Sequence, residues 1–573
     1  MPHPARIEWR VRQPEPDALA ALEAMPGTSR LLAQVLAARG WRPGPALTTF
    51  LAPPSTREPD YGALPGVPEA VTLLLGAIAR RERITVCGDY DIDGIASTSL
   101  LVRALEHHDA VVDHFLPHRL VEGYGLNATT IQGLADQGTR VLVTVDNGIS
   151  SHEQIAFARS LGLDVIITDH HRPGASLPNA TVIVNPWLMA DPGGLAPLAG
   201  VGVAYALARS LDHALPPREP DARHLLDLVA LGTLGDQAPL VDENRRLVRQ
   251  GLARISRSPR RGVAALARAA RCNLKAANLS ELLSQRVIPR INAAGRMAHP
   301  RLALELLLAH DDAPARQMAD QLERLNQERR LLSLAIEAEA IARVAGGDMP
   351  GGPAIILADA GWHHGVLGIV ASRLAERFRR PTLLFAPEDN GHLRGSGRSV
   401  SGHDLHATLE AVGKVLGRFG GHANAVGLSV APEDFEFFCA IFQAEVAVRL
   451  TAPVSYTKVW EVDAEPPLSA LGFEAVASLQ ALEPTGPENP GPTFGLRGAT
   501  VLRQERRGPE DEHLWLEVAD QTGQAAAIAF GQGKRHPLPE GPVDLVYQPV
   551  AERWQGQNRL TLKVLAVGPA ADA

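Results

Sequence analysis

Five short runs of apolar and β-branched residues alternate with helix-like stretches between residue 84 and about residue 250. They stand in RITVCGDYD, DAVVDHFLP, RVLVTVDNG, LDVIITDHH and ATVIVNP. Short runs bounded by turns, with helices between them, are typical of a mostly parallel sheet that helices cover on both faces. This pattern predicts an α/β lobe in the first half of the chain.

The pattern of apolar runs, helix-like stretches and turns also divides the rest of the chain into segments. Residues 302–346 form one long helix-like stretch, and a second α/β pattern runs from AIILADAG to about residue 450. From 494 to 566, short strand candidates alternate with Gly/Pro turns. We therefore predict two α/β lobes with mostly parallel sheets, joined by a long helix and followed by a C-terminal OB-like β-barrel. The expected domains are an N-terminal helical segment (1–83), a first lobe (84–300), a connecting helix (301–348), a second lobe (349–450) and the barrel (451–573).

Composition excludes several classes of protein. With 573 residues, 45% of them hydrophobic and 21% charged, the chain is typical of a folded protein of several domains. No apolar run approaches the ~20 residues of a membrane helix, and we expect no secretion signal. Only Cys87, Cys272 and Cys439 are present, far apart, which favours a reducing, cytoplasmic location over a disulfide or zinc framework. With a net charge of −8, nucleic acid would have to bind through local basic patches.

Acidic and imidazole side chains recur where the predicted strands of the first lobe end. They are Asp89, Asp91, Asp93, Asp146, Asp169, His170 and His171, with Asp236 at the end of a helix-like run. Ligands of an open α/β sheet bind outside the carboxyl ends of its strands, so these side chains are expected to converge on one crevice. Carboxylates with imidazoles suit Mn²⁺ or Mg²⁺, and such cations would allow the carboxylates to lie close together.

Asp89 has two open interpretations. An aspartate after a strand is often a turn or helix N-cap residue, because its side chain accepts hydrogen bonds from nearby backbone N–H groups. The same residue stands two positions before Asp91 in the acidic cluster. We keep Asp89 both as a candidate metal ligand and as a candidate cap.

Motifs in the first lobe resemble those of the DHH phosphoesterases, a family named after the triplet at residues 169–171. They are GDYDIDG, VDNG, TDHH and GTLGDQAPL. The resemblance extends over about residues 45–500, to the single-strand-specific 5′→3′ exonucleases of that family, through RINAAGRM, GWHHGVLGIVASRL, GSGRS, GRFGGHANAVGLSV and LEPTGPENPGPTF. The last motif departs from the family at Thr485 and Glu488, where an aromatic residue and a glycine are usual. That segment is expected to pack domains together.

The resemblance implies two divalent cations, Mn²⁺ or Mg²⁺, that share one carboxylate. Asp146 matches the bridging carboxylate in this sequence. Asp93, His170 and Asp236 match ligands of one ion, and Asp91 matches a ligand of the other. Two-metal sites of this kind polarise phosphoryl oxygens and lower the pKa of the attacking water.

Two neighbouring positions carry further expectations from the resemblance. His171 would contact the scissile phosphate or supply a proton, and a structural role beside the ligands is the alternative. Related pyrophosphatases have a histidine where this chain has Cys87, so the second ion would bind more weakly or only together with substrate.

The second lobe corresponds to the family's DHHA1 domain, which holds nucleic acid near the metals. We expect SGRS and FGGHA to form glycine-rich turns whose backbone N–H groups approach a phosphate. One arginine is expected to hold a 5′-terminal phosphate bidentately, with a structural salt bridge as the alternative for each. The candidate substrate-binding residues are Arg290, Arg296, Ser372, Arg373, Arg398, Gly420, Gly421 and His422.

Two further signals are weaker. AGVGVAYALA, at residues 199–208, resembles a Gly-rich dinucleotide loop, but no acidic residue fits about 20 positions later, so we expect no nucleotide site. In the barrel, Trp515 and Trp554 lie near arginines in the sequence. They are candidates for base stacking, with packing in the core as the alternative.

We expect a cytoplasmic monomer. The resemblance implies an exonuclease that degrades single-stranded DNA from its 5′ end to nucleoside 5′-monophosphates, in DNA repair and recombination. A single-strand-binding protein or a helicase is a further candidate partner, and no membrane is expected. Two alternatives stay open: a DHH phosphohydrolase of short oligonucleotides, and a non-catalytic replication or repair factor of the same fold. The complete set of acidic and histidine residues favours catalysis, and the barrel disfavours the first alternative.

Overall fold

The structure is a computed structural model that describes residues 7–53, 57–119, 125–190, 193–346, 352–388, 391–450, 458–538, 540–554 and 557–570. The N-terminal segment contains β1 (Glu8–Val11), α1 (Pro16–Glu23), α2 (Arg30–Ala38) and α3 (Pro45–Leu51). Strand β1 pairs in parallel with Val459–Val462, near the other end of the chain. Buried leucines of α2 belong to the same hydrophobic core as the C-terminal barrel. The segment predicted as helical therefore also contributes a strand, and it packs with the C-terminal region.

The first lobe is built on a five-stranded, wholly parallel sheet. Its strands are β2 (Arg83–Cys87), β3 (Val111–Phe115), β4 (Thr139–Val145), β5 (Asp164–Thr168) and β6 (Val182–Val184). They lie in the order β3-β2-β4-β5-β6, and every predicted apolar run supplies one of them. Because both faces of the sheet are covered by helices, residues on both faces are buried in apolar clusters.

Helices of the first lobe both cover the sheet and extend beyond it. They are α4 (Val67–Ala79), α5 (Ile92–His107), α6 (Ala128–Asp136), α7 (His152–Ser160), α8 (Gly200–Ala214), α9 (Leu226–Asp236), α10 (Asp242–Arg257), α11 (Arg261–Ala269), α12 (Leu279–Leu282), α13 (Ile288–Met297) and α14 (Arg301–Leu308). A 35-residue helix, α15 (Asp312–Gly346), then leads to the second lobe. It packs against α11, α13 and α14 of the first lobe and also against the second lobe.

The second lobe contains a mixed five-stranded sheet. Its elements are β7 (Ile355–Ala358), α16 (His364–Phe378), β8 (Thr382–Pro387), β9 (Leu393–Arg398), α17 (Leu405–Ala411), β10 (Arg418–His422), β11 (Ala425–Val430) and α18 (Phe435–Arg449). The strand order is β10-β11-β9-β8-β7, and only β7 and β8 run parallel. The expectation of a mostly parallel sheet thus holds for the first lobe, whereas short turns make the second largely antiparallel.

The C-terminal region is a closed barrel, as the sequence predicts. It contains β12 (Val459–Val462), α19 (Phe473–Ser478), β13 (Phe494–Arg507), β14 (His513–Ala519), β15 (Gln524–Ala529), β16 (Val543–Trp554) and β17 (Gln557–Pro569). Five of these strands close in the order β13-β14-β15-β17-β16.

The segment before the barrel holds it against the first lobe. The Arg245 guanidinium on α10 donates hydrogen bonds to the carbonyl oxygens of Leu482, at 3.0 Å, and Pro484, at 3.1 Å. The backbone N–H of Leu240 donates to the carbonyl oxygen of Pro487 at 2.9 Å. These contacts confirm the expectation that this segment packs domains together.

None of the helices in the described part of the chain combines the length and the apolar character that crossing a bilayer requires.

Candidate metal centre and substrate cleft

The acidic and imidazole side chains that follow the first-lobe strands converge at the carboxyl edge of the sheet. Three overlapping groups of possible ligand atoms each fit within 4.8 Å. The groups are Asp146, His170 and His171; Asp93, His170 and Asp236; and Asp89, Asp91 and Asp146. Every metal ligand predicted from the sequence thus lies in at least one group, and Asp146 and His170 each belong to two.

Asp146 occupies the turn that ends β4. Its backbone has φ of 60°, in the left-handed region, and its N–H donates to the carbonyl oxygen of Thr168 at 3.0 Å. The side-chain amide of Asn147 donates to the carbonyl oxygen of Val145 at 2.9 Å, and the Thr144 hydroxyl donates to the carbonyl oxygen of Asn147 at 2.8 Å. A non-glycine residue keeps this conformation only when its surroundings enforce it, so the strand end fixes the direction of the Asp146 carboxylate.

Asp93 is held by the N-terminus of α8. Its two carboxylate oxygens accept hydrogen bonds from the backbone N–H groups of Gly200, at 2.7 Å, and Val201, at 3.0 Å. A Cβ at Gly200 would lie 2.8 Å from the Cβ of Asp146, so any larger residue here would displace the Asp146 side chain. The Gly-rich stretch at 199–208, which resembles a dinucleotide loop, therefore orients a candidate metal ligand, and its position before a helix is the signal that could have indicated this role.

Asp91 and Asp89 have different roles at the start of α5. Asp91 is the N-cap, and its Oδ1 accepts the N–H of Asp93 at 2.9 Å. Asp89 is buried, and its Oδ1 has no hydrogen-bond partner among the described residues. The cap interpretation of Asp89 therefore does not apply to this helix, and the unpartnered oxygen is available to a cation.

The two histidines of the triplet have different carboxylate partners. The Nε2 atom of His170 lies 3.1 Å from Asp146 Oδ1, 3.9 Å from Asp93 Oδ2 and 4.0 Å from Asp236 Oδ2. This buried nitrogen makes no hydrogen bond within the described part of the chain. The Nδ1 atom of His171 instead lies 2.7 Å from Asp169 Oδ1. Burial alone would lower the pKa of His171, but the Asp169 hydrogen bond and charge raise the pKa to about 9.

Crowding raises the pKa values of the carboxyl groups. Burial, with the nearby Asp236 charge, raises the pKa of Asp93 to about 7. Burial and neighbouring carboxylates also raise the pKa values of Asp89 and Asp146 well above the ordinary range. Protonation or a cation can relieve this repulsion, and dications are favoured by the oxygen and imidazole donors and by the two unpartnered atoms, Asp89 Oδ1 and His170 Nε2.

Cys87 lies outside this ligand set. It ends β2, and its side chain belongs to an apolar cluster that includes Leu126 and Ile131. Burial raises the pKa of the Cys87 thiol, which disfavours the thiolate that a metal would bind. The donors that converge here are therefore oxygens and imidazole nitrogens.

The candidate metal centre opens into a cleft of about 1030 Å³ between the two lobes. His171 and Arg172 line its first-lobe wall, and Arg398, Gly420 and His422 line the opposite wall. The imidazole rings of His171 and His422 face each other across it, with centroids 6.4 Å apart and an interplanar angle of 11°. A phosphodiester in the cleft would contact both lobes.

The glycine-rich segments of the second-lobe wall are strands, so the prediction of turns was wrong. Their candidate residues are Arg398 at the end of β9, and Gly420, Gly421 and His422 in β10. Gly421 has φ of 134°, and a Cβ there would lie 2.2 Å from the carbonyl oxygen of Ala425 on the paired strand. Close approach between the strands, and not chain reversal, requires this glycine.

Arg119 and Arg398 line the cleft, and Arg296 lies close to both of them. Burial, together with the charges of Arg119, Arg329 and Arg398, lowers the pKa of Arg296 to about 9. The Arg119 guanidinium lies 4.8 Å above the ring of Tyr90. Among the described residues, no carboxylate forms an ion pair with Arg119, Arg296 or Arg398, so these charges suit an anionic ligand. Arg119 carries no local sequence signal, because it follows the edge strand β3 in a loop without a recognisable motif.

Other predicted substrate residues make interactions within the protein. Arg290 pairs with Glu323, and Arg373 pairs with Glu337 at 2.7 Å. The Ser372 hydroxyl donates to a carbonyl oxygen of its own helix at 3.0 Å. The side chains of these three residues do not line the cleft within the described part of the chain, and their substrate contacts stay predictions.

On the barrel, Trp515 is half-buried on β14 and is flanked by arginines. The Arg507 guanidinium lies 4.2 Å above its ring and the Arg503 guanidinium lies 5.9 Å away. The side chain of Trp554 lies outside the described residues. Base stacking by either tryptophan stays a prediction.

Comparisons with known proteins agree with this arrangement of domains. Three family models match: the DHH family N-terminal domain at residues 83–233, the DHHA1 domain at 351–447 and the RecJ OB domain at 462–566. The single-stranded-DNA-specific exonuclease RecJ of Haemophilus influenzae is 36% identical over 526 residues, which cover 88% of this chain and 91% of that protein. The crystal structure of Thermus thermophilus RecJ with Mn²⁺ is similar, with a TM-score of 0.83, 31% identity, and coverage of 98% of this chain and 79% of that one. The corresponding Mg²⁺ complex has a TM-score of 0.78, 30% identity, and coverage of 98% and 78%.

Proposed function

Because the chain belongs to the RecJ family of single-stranded-DNA-specific exonucleases, we propose that it hydrolyses single-stranded DNA from the 5′ end and releases nucleoside 5′-monophosphates. One observation carries the proposal. A cluster of carboxylates and imidazoles lies beside a cleft that is also lined by Arg119 and Arg398, and neither arginine has a carboxylate partner among the described residues. The cluster suits divalent cations and the two arginines suit a phosphate.

The cofactors are divalent cations, Mn²⁺ or Mg²⁺, which RecJ of Thermus thermophilus binds in its crystal structures. Asp146 would be shared between two ions, with Asp93, His170 and Asp236 on one side and Asp89 and Asp91 on the other. Bound dications polarise phosphoryl oxygens and lower the pKa of the attacking water. The ligands would be oriented before substrate arrives, since α8 holds Asp93 and the end of β4 fixes Asp146.

His171 would act on the phosphate itself. Its Nδ1 atom lies 2.7 Å from Asp169 Oδ1, and the hydrogen bond and charge of Asp169 raise the pKa of the ring, which favours the imidazolium form. The Nε2–H can therefore donate a hydrogen bond to a phosphate oxygen in the cleft, opposite His422. The two imidazoles would hold the scissile phosphate from both lobes.

Three neighbouring arginines support the proposed polarity. Arg119, Arg296 and Arg398 repel one another, and a terminal phosphate with two negative charges would neutralise them better than a diester with one. A strand whose 5′ phosphate is held there would present its first internal phosphodiester toward the metal centre. Cleavage at that position would release one nucleotide at a time.

Partners and location complete the proposal. Single-stranded DNA is the substrate, and a single-strand-binding protein or a helicase is a candidate partner. We propose a monomeric protein in the cytoplasm, and the three free cysteines support the reducing compartment. The barrel and the complete ligand set disfavour a phosphohydrolase of short oligonucleotides and a non-catalytic factor.

The test uses long single strands labelled at either end, incubated with Mn²⁺. The expected first product of a 5′-labelled strand is a labelled mononucleotide, whereas the 3′-labelled strand shortens progressively. A series of progressively shorter fragments from the 5′-labelled strand would instead show degradation from the 3′ end and contradict the proposed polarity. Binding without cleavage would contradict the enzymatic proposal and favour the non-catalytic factor.

A further inference from the structure

We propose that Trp187 is a positioning residue with two functions: its indole N–H fixes the backbone of a metal-ligating histidine, and its ring face supports a substrate-facing arginine. The inference rests on the proposed function, because it concerns the same metal centre and the same cleft. Trp187 lies in a short helical turn directly after β6 and is half-buried.

The first function concerns the edge of the indole. Trp187 Nε1–H donates to the carbonyl oxygen of His170 at 2.9 Å. The neighbouring Asn185 is fully buried, and its side-chain N–H donates to the carbonyl oxygen of His171 at 2.9 Å. The Oδ1 atom of Asn185 accepts the backbone N–H of Trp187 at 2.9 Å, so the two residues form one unit. Together they hold both histidine carbonyl groups.

The other side of the same peptides is held by Asp169. Its Oδ1 accepts the backbone N–H groups of His170, at 2.8 Å, and His171, at 3.1 Å. Because the backbone N–H and C=O groups of both histidines are hydrogen-bonded, these bonds hold the backbone of the triplet in one orientation. His170 Nε2 is thereby kept 3.1 Å from Asp146 Oδ1, in the centre of the ligand cluster. Loss of the indole hydrogen bond would free one side of this backbone.

The second function concerns the face of the indole. The Arg172 guanidinium lies 4.0 Å from the centre of the Trp187 ring, at cation–π distance. Arg172 is exposed and lines the cleft beside His171. No carboxylate among the described residues pairs with it. A guanidinium supported on an aromatic face and directed into a phosphate-binding cleft suits contact with the DNA backbone from the first-lobe wall.

Because the edge of the Trp187 ring contacts the backbone of His170 and its face contacts Arg172, two substitutions should separate the two functions. Trp187→Phe keeps an aromatic face for Arg172 but removes the N–H that reaches His170. We expect its Mn²⁺ dissociation constant to rise about 10–100-fold, the usual range for residues that orient metal ligands. DNA affinity, measured at saturating Mn²⁺ with a phosphorothioate strand that resists cleavage, should be nearly unchanged.

Arg172→Gln should give the reverse pattern. Its DNA affinity should fall and the slope of log affinity against log salt should decrease by about one, because one phosphate contact is lost. Its Mn²⁺ affinity should equal that of the unmodified protein. Trp460→Phe, on β12, is the matched control and should change neither quantity.

An unchanged Mn²⁺ affinity in Trp187→Phe would overturn the first function, and an unchanged DNA affinity and salt slope in Arg172→Gln would overturn the second. Circular dichroism and thermal unfolding check that each variant is folded. If Trp187→Phe does not fold, Asn185→Ser, which removes the other donor to the triplet, must weaken Mn²⁺ binding, or the first function fails. Neither readout uses cleavage, so an unmodified protein that binds Mn²⁺ and DNA without cutting would refute the proposed function alone.

Discussion

The two walls of the cleft present their functional side chains in different ways. On the first-lobe wall, most of the carboxylates and both imidazoles follow the parallel strands β2, β4 and β5, and Asp236 ends the helix α9. On the second-lobe wall, the groups project from within antiparallel strands at alternate positions. Arg394, Ser396 and Arg398 share one face of β9, and Arg418 and His422 lie on β10, which β11 separates from β9.

This difference explains how a phosphodiester can be held between walls of unlike charge. Strand ends of a parallel sheet bring several short acidic side chains within ligand distance of one ion, which suits a metal centre. An antiparallel face spreads cationic groups about 7 Å apart along each strand, which suits a chain of phosphates. Dications on the acidic wall would make both walls attractive to DNA.

The largest expected effect comes from removing the shared carboxylate of the first wall. Asp146→Asn keeps the shape of the side chain but loses the charge that two cations would share. We expect cleavage to fall at least about 10³-fold, since metal ions contribute several kcal/mol to stabilising the transition state. Single-turnover cleavage measures the loss, and fluorescence anisotropy should find DNA affinity largely retained.

Asp164→Asn is the matched control for this test. Asp164 stands at the other end of β5, where it pairs with Arg159 at 2.9 Å on the surface. Its loss should leave cleavage unchanged. Full activity in Asp146→Asn would refute the shared role of that carboxylate.

The second-largest effect tests whether the carboxylates of the acidic wall keep their positions only because residue 200 has no side chain. A Cβ at Gly200 would lie 2.8 Å from Asp146 Cβ and 3.0 Å from Asp93 Oδ2. Gly200→Ala should therefore displace two ligands and weaken Mn²⁺ binding about 10–100-fold, as measured by isothermal titration calorimetry. Gly202→Ala, on the same helix, is the control, because its closest contact is the flexible end of the Leu198 side chain. Equal Mn²⁺ affinities in the two variants would contradict this account.

The third effect tests the cationic wall. Arg398→Gln should lower the rate on 5′-phosphorylated strands about 10–100-fold, since a charge-assisted hydrogen bond contributes about 1.5–3 kcal/mol. Strands with a 5′ hydroxyl should be affected much less. The measurement is the ratio of rates on the two substrates. Arg377→Gln, exposed at the far end of α16, should leave that ratio unchanged, and an unchanged ratio in Arg398→Gln would remove this residue from the 5′-phosphate site.

The smallest effect concerns the barrel, away from both walls. Trp515→Ala should weaken binding of long single strands about fivefold, the lower end for loss of one base–aromatic stack, because Arg507 already covers part of the ring. Trp515→Phe should retain most of the affinity. Filter binding over a range of salt concentrations measures both, and equal affinities in all three proteins would leave Trp515 without a DNA contact.

A point substitution is preferable here to removing the barrel. The N-terminal helix α2 packs into the barrel's hydrophobic core, and β1 pairs with β12. Deleting residues after about 455 would expose Leu31 and Leu36 to water and destabilise the N-terminal segment as well. A loss of DNA binding in such a truncation would not identify its cause.

Much of the first lobe could be predicted from the sequence because its signals are local. An apolar run followed within two residues by an aspartate marks both a buried strand and a side chain at the carboxyl edge of the sheet. The ends of β2, β4 and β5 all follow this rule, at Asp89, Asp146 and Asp169. The motifs of the barrel strands are local in the same way.

The second-lobe wall was harder to predict because its pattern is not local. GSGRS and FGGHA contain enough glycine to suggest turns, yet these glycines allow close packing between paired strands. Whether glycine permits a turn or a close contact depends on the partner strand, which the local sequence does not identify. The same limitation hid β1, whose partner β12 lies near the other end of the chain.

The sequence by itself determined the chemistry: which strands carry carboxylates and imidazoles, and that an OB-type barrel follows. Tertiary structure alone decided which groups hold those ligands in place. Gly200 reaches Asp93, Trp187 reaches the backbone of His170, and Arg119 joins Arg398 only after helices and lobes pack. The physical reason is that side-chain type and strand position are encoded residue by residue, whereas hydrogen bonds and charge repulsion act over a few ångströms between segments that only folding brings together.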